Sequence, residues 1–204
     1  MDKKLSLSQL DVLKEIGTIG SGRAATALAD LINTKVEISV PQVSLIPLEN
    51  ISGLFGGSER ILFVLDMGMS GDVSGRIFLL FSPQDAKILS GSLLGKTVDQ
   101  IDFKDAMFQS SLKECANILA GSFISALAEM TNKNILSSVP SLAQDMVGAI
   151  LDFIFIQIAQ YSEEALYIKT DLRVKGLELG GFFLFFPSSQ SLREIFEALG
   201  FKGE

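Results

Sequence analysis

Ser110, Glu114 and Asn117 stand at positions i, i+4 and i+7, the spacing that brings three side chains onto one face of an α-helix. Steps of about 100° keep them within roughly 60° of one another, and Glu114 and Asn117 are about 4.5 Å apart along the axis. A carboxylate and a carboxamide thus project side by side. Taken alone, such a stripe is ordinarily the solvated face of a helix. A second candidate is 14-KEIGTIGSGRAATA-27, where Gly17, Gly22 and Arg23 come close to the phosphate-loop pattern G-x4-G-K-S/T.

A phosphate loop needs a strand ahead of it, a lysine to reach the phosphates and a hydroxyl for magnesium. Arg23 and Ala24 occupy the last two places, and the preceding 6-SLSQLDVLKEI-16 reads as helix. The stretch is therefore read as a helix carrying small residues. Each glycine inside a helix costs about 1 kcal/mol relative to alanine. The return is close approach of a second helix or of a partner.

Composition removes whole classes of chemistry. Of 204 residues none is His, which excludes Ser-His-Asp and Cys-His catalysis, imidazole bases and His-containing metal sites. Cys115 is the single cysteine, so neither an intrachain disulfide nor a thiolate zinc cluster exists, and a reducing compartment is expected. It reads as a small apolar filler, with Glu114 beside it raising its pKa. With 17 basic and 24 acidic residues the net charge is -7 and the cations are scattered, against nucleic-acid binding. Lys3 and Lys4 are followed by polar residues where a signal peptide needs an apolar core. The most apolar run, 146 to 159, contains Asp152 and is too short to span a bilayer. The expectation is a soluble cytoplasmic protein with no metal site and no membrane insertion.

Sliding the chain by 99 positions aligns residues 13–41 with 112–140 without a gap, and 12 of the 29 pairs are identical. They include Leu13/Leu112, Glu15/Glu114, Gly22/Gly121, Asn33/Asn132 and Pro41/Pro140. The counterpart of the glycine-rich stretch, 113-KECANILAGSFISA-126, keeps one glycine of three and is plainly helical, a further objection to a phosphate loop. A weaker correspondence joins 76–95 to 181–200. Each copy reads as a long helix, several strands and a short closing helix.

In copy two, Phe108, Leu112, Cys115, Leu119, Phe123, Ala126 and Met130 recur at helical spacing, and residues 134 to 140 form a short strand stopped by Pro140. The runs 151–161 and 165–174, rich in Ile, Phe, Leu and Tyr, read as strands, and 175–181 as a turn into a strand over 182–186. In copy one, 61–68 and 76–81 flank the turn 70–75 as a hairpin, and 49–61 reads as a loop. The closing helices begin at Ser82-Pro83 and near Ser188-Ser189. The expected class is α+β: internally duplicated and pseudo-twofold, with a largely antiparallel sheet shared by both copies and long motif-bearing helices. The chain is expected to be one domain, residues 1–204, of two repeats spanning about 6–100 and about 101–204.

With the repeat in view, the sequence resembles the CheC-type phosphatases of bacterial chemotaxis, related to CheX and FliY. Their motif is Asp or Ser, x3, Glu, x2, Asn, x22, Pro, and Ser110, Glu114, Asn117 and Pro140 match it at every defined position. Copy one offers Asp11, Glu15, Thr18 and Pro41, departing only in Thr18. The resemblance covers essentially the whole chain. It implies dephosphorylation of a phosphorylated CheY-type response regulator: the motif helix docks on the receiver's phosphorylation site, Glu114 pairs with a receiver lysine, and Asn117 orients the attacking water. The magnesium and the phosphoaspartate belong to the receiver, so no cofactor of the protein's own is implied. Phosphoryl transfer depends mostly on positioning and charge stabilisation, and a carboxamide donates to one oxygen while accepting from the water. Threonine is shorter and has one polar atom, so the Thr18 site is expected to be weak or silent while Glu15 retains docking. Pro41 and Pro140 read as structural.

The alternative is a binding module that sequesters the phosphorylated receiver, or regulates a CheD-like deamidase or the flagellar switch. Both partners are ones the resemblance brings with it. Turnover of a phosphorylated receiver separates the two readings.

Overall fold

Two helices of equal length open the two halves of the chain. In the computed structural model, which describes residues 5–47, 50–158, 164–174 and 176–201, α1 (Leu7–Ile32) and α4 (Ala106–Thr131) each run 26 residues. Their first residues, last residues and caps all stand 99 positions apart. Ser6 caps α1 reciprocally with Gln9, and Asp105 caps α4 by accepting from the Met107 N–H at 2.9 Å. Asn33 and Asn132 close them in the left-handed conformation, at φ 48° and 51°. The expectation of two long, equivalent helices is met.

After α1 the chain forms β1 (Val36–Pro47), a single helical turn α2 (Ile51–Leu54), the hairpin β2 (Ile61–Gly71) and β3 (Gly75–Phe81), and α3 (Pro83–Leu94). After α4 come β4 (Ile135–Ser137), β5 (Ser141–Met146), α5 (Val147–Ile158), the pair β6 (Glu164–Val174) and β7 (Leu177–Pro187), and α6 (Ser189–Ala198). All pairings are antiparallel within one seven-stranded sheet, in the order β1-β6-β7-β3-β2-β4, with β5 also on β2. The first strand of each half therefore pairs with the hairpin of the other. β3 meets β7 at the centre. The expected shared antiparallel sheet is the one observed.

The sheet is covered on both faces. Phe63, Leu65 and Met67 point to the side of α1, α4, α3 and α6, whereas Leu62, Val64, Phe78, Leu184 and Phe186 point to α2 and α5. On the first side α1 and α4 lie directly against each other. A methyl at Gly20 would stand 2.8 Å from the Phe123 Cα, so only glycine permits this approach. Phe123 in turn packs on Phe183 and Phe185, ring centres 4.9 and 5.4 Å away. One of the helix glycines thus does allow a second helix to come close.

Four readings of the sequence are corrected. The run 151–161 is not a strand. As far as Ile158 it belongs to α5, which buries Val147, Ile150, Leu151, Ile154 and Ile158 at helical spacing, and residues 159–161 lie outside the described part. The segment 175–181 is not an extended turn: β7 begins at Leu177, and Glu178 and Leu179 pair with Arg173 and Leu172. Within 49–61 the loop contains the turn of helix α2, and residue 49 is outside the described part. The strand read over 134–140 is confined to Ile135–Ser137 and stops before Pro140.

Candidate active site

The motif helix α4 is held in one orientation by its buried side. Phe108 packs on Phe63 and Phe103 with ring centres 5.2 Å away in both cases, fixing the first turn against β2. The buried Ser111 hydroxyl donates to Ser90 Oγ at 2.7 Å, tying α4 to α3. Cys115 is buried, and desolvation, with Glu114 adding to it, pushes its thiol up to about 12. It is the inert filler that its position suggested.

With that side fixed, Ser110, Glu114 and Asn117 all lie on the exposed side. Among the described residues none of their side chains has a hydrogen-bond or ion-pair partner. Elsewhere on the same helix Glu129 is engaged: it takes two hydrogen bonds from Arg23, at 2.8 and 2.6 Å, which hold its carboxyl below the usual range. The Glu114 carboxylate and the Asn117 carboxamide are available to another molecule.

Pro140 is buried and sits at a fault in the ladder. Between the pairs Met69↔Ser137 and Asp66↔Ser141 the β4–β5 segment uses one residue more than β2, and the proline, lacking an N–H, falls in this bulge. Ser138 pins the bulge to β2, its Oγ accepting from the Gly68 N–H and its own N–H donating to the Gly68 carbonyl, both at 2.9 Å. The same extra residue appears in β1 between Ser39↔Asp171 and Gln42↔Lys169, where Pro41 stands. The 22-residue spacer follows from these paths. Of the 22 residues between Asn117 and Pro140, the first 14 complete α4, about 21 Å of helix, and the rest carry the Asn132 cap, β4 and the bulge.

The first half shows how near the bulge comes to its helix. A methyl at Gly17 would lie 3.5 Å from both Val40 methyls, one residue before Thr18. The counterparts of this pair are Ala116, which is buried, and Val139, which is 82% exposed where Val40 is 6% exposed. Asp11, Glu15 and Thr18 form an exposed stripe as in α4. Thr18 differs chemically, because its hydroxyl donates to the Lys14 carbonyl at 2.8 Å and turns back on its own helix.

Two exposed apolar residues, Met107 and Val139, fall outside the motif. Met107, 56% exposed, lies two turns before Glu114 on the same face, and its heptad separation was a usable signal. Val139 carried none, since the identical Val40 is buried. The apolar crevice of about 30 Å³ between α1, α4 and the sheet, lined by Gly17, Ala24, Val40, Leu119 and Phe123, has room for about one water. Among the described residues no group of three His, Cys, Asp or Glu could hold a metal ion. No helix among them is long and apolar enough to cross a membrane.

A duplicated α+β fold with a carboxylate–carboxamide pair exposed on one motif helix defines the class. Comparison with known proteins supplies the family. The CheC-like family profile matches residues 9–45, and that of the chemotaxis phosphatase CheX matches residues 64–152. The chain is 32% identical over 196 residues to the CheY-P phosphatase CheC of Bacillus subtilis, covering 94% of both proteins. The chain belongs to the CheC-like family. Its fold is that of Thermotoga maritima FliY, with a TM-score of 0.78 at 19% identity, covering 96% of this chain and 97% of that one. A more distant likeness, TM-score 0.51 at 15% identity over 83% of this chain and 96% of the other, is to a chain in the CheX-CheY-BeF3-Mg2+ complex of Borrelia burgdorferi.

Proposed function

We infer that this protein is a phosphatase of bacterial chemotaxis that hydrolyses the aspartyl phosphate of a CheY-type response regulator. One observation carries the assignment: the match over 94% of the chain to a CheY-P phosphatase, in a protein whose Glu114 and Asn117 are exposed, side by side and unpartnered among the described residues.

Glu114 grips a cation on the receiver, and Asn117 enters the phosphorylation site. There its carboxamide orients a water whose oxygen attacks phosphorus as the bond to the aspartate oxygen breaks, freeing the carboxylate and inorganic phosphate. Ser110 contacts the receiver rim, and Pro140 holds the bulge alongside the helix. The Mg2+ that offsets phosphoryl charge sits on the receiver, a reading supported by the Mg2+ in the CheX-CheY complex. The copy-one set of Asp11, Glu15, Thr18 and Pro41 is a degenerate second site. The protein works in the cytoplasm as a single domain of two repeats. A CheD-like deamidase is a further partner on this reading.

Decay of a phosphorylated receiver with the starting protein, Asn117→Ala and Glu114→Ala tests the assignment. Loss of turnover in a folded Asn117→Ala protein supports it, whereas undiminished turnover refutes it. Saturable binding without faster phosphate release favours the adaptor role instead.

A further inference from the structure

Gly121 has no structural reason to be glycine. It lies inside α4, and a methyl there meets no atom within 4 Å beyond its own turn of helix. Gly20, in contrast, is required by the Phe123 backbone 2.8 Å away. Helix propensity alone favours alanine at such a position. Its place on the helix gives the reason. Gly121 follows Asn117 by one turn, about 6 Å along the axis, and stands within roughly 20° of Glu114 around it.

We propose that Gly121 is a positioning residue for the receiver: its missing side chain lets the receiver's surface come down to the α4 backbone, so that Asn117 reaches the phosphoryl site. Asparagine is short. Its carboxamide forms hydrogen bonds inside another protein's site only if that surface approaches the helix to within the side chain's own length. A side chain one turn away on the same face acts as a spacer. Glycine is the residue that permits such backbone contact. The proposal rests on the phosphatase assignment and adds a determinant of geometry to it.

Gly22, the equivalent residue of copy one, supplies the control. It too has open space around it, on the helix where Thr18 replaces the asparagine. Gly121→Ala, Gly121→Leu, Gly22→Ala and Asn117→Ala are compared for receiver dephosphorylation and thermal unfolding. Both alanine substitutions for glycine raise Tm. Turnover is kept by Gly22→Ala, falls about tenfold in Gly121→Ala and about a hundredfold in Gly121→Leu, as misplacement by an ångström or so produces. A more stable protein with a poorer reaction is what a purely structural glycine cannot give. Full turnover in Gly121→Leu, with Asn117→Ala inactive, overturns the proposal and leaves the assignment standing. Equal losses in Gly22→Ala and Gly121→Ala also overturn it, since helix rigidity would then be the cause. Full turnover in Asn117→Ala as well overturns both.

Discussion

Thr18 and Asn117 occupy equivalent points on two helices of identical length, yet one is closed on itself and the other open. The Thr18 hydroxyl is bonded to the Lys14 carbonyl at 2.8 Å, while the Asn117 carboxamide is exposed and without a partner among the described residues. Replacing Thr18 by Asn removes that bond and restores the reach. Turnover of a phosphorylated receiver rises by up to about twofold, as a second equally placed carboxamide allows. Stability changes by less than about 0.5 kcal/mol, because the site is exposed. Absence of any gain in the decay assay would show that the surface around Thr18 has diverged as well.

Glu114 and Asn117 should separate kinetically. Glu114→Gln keeps shape and removes charge, so KM rises about tenfold with little change in kcat, and the difference from the starting protein shrinks at high salt. Asn117→Asp keeps shape, removes a donor and sets a negative charge toward the phosphoryl group, so kcat falls about a hundredfold or more. Steady-state kinetics at two ionic strengths distinguish them, and a shared KM effect in both variants would contradict the division of roles.

Gly20→Ala is expected to behave opposite to Gly121→Ala. Its methyl would press on the Phe123 backbone at 2.8 Å, forcing α1 and α4 apart at a cost of about 1–3 kcal/mol. Urea unfolding of the two variants side by side measures this. A stabilised Gly20→Ala protein would mean that the helices tolerate separation.

Cys115 links stability to pH. Burial raises its folded pKa from 9.0 to about 12, so below pH 9 the thiol is protonated in both states and its contribution is fully present. Between those values the unfolded chain releases the proton and the folded one keeps it, and stability falls by about 1.4 kcal/mol per pH unit. Urea midpoints at pH 8 and pH 10 for the starting protein and Cys115→Ala test this. The decline should be shallower in the variant, and a thiol reagent should label Cys115 only on unfolding.

Much of this molecule was legible in one number. The offset of 99 residues matched the two long helices and paired Asn33 with Asn132 and Pro41 with Pro140, because each follows from local chemistry written twice. α5 was misread because Ile, Phe and Leu dominate strands and buried helices alike. Its helical spacing of Val147, Ile150, Leu151, Ile154 and Ile158 was present but outweighed by composition. The early start of β7 was hidden by Gly180 and Gly181, turn residues by habit that here lie opposite Asp171 and Thr170 within the ladder. Of the site, the stripe and its proline were readable. The exposure of Val139 was not, since Val40 is identical in type and buried.

The exchange of first strands between the halves has an evolutionary consequence. β1 lies on β6, and β4 with β5 lies on β2, so each half completes the sheet of the other. An ancestor of half the length would have met this requirement as a pair of identical chains, each with its own reactive helix. Fusion into one polypeptide frees the two copies to differ. The first can carry Thr18 where the second carries Asn117 and still supply its strand to the shared sheet.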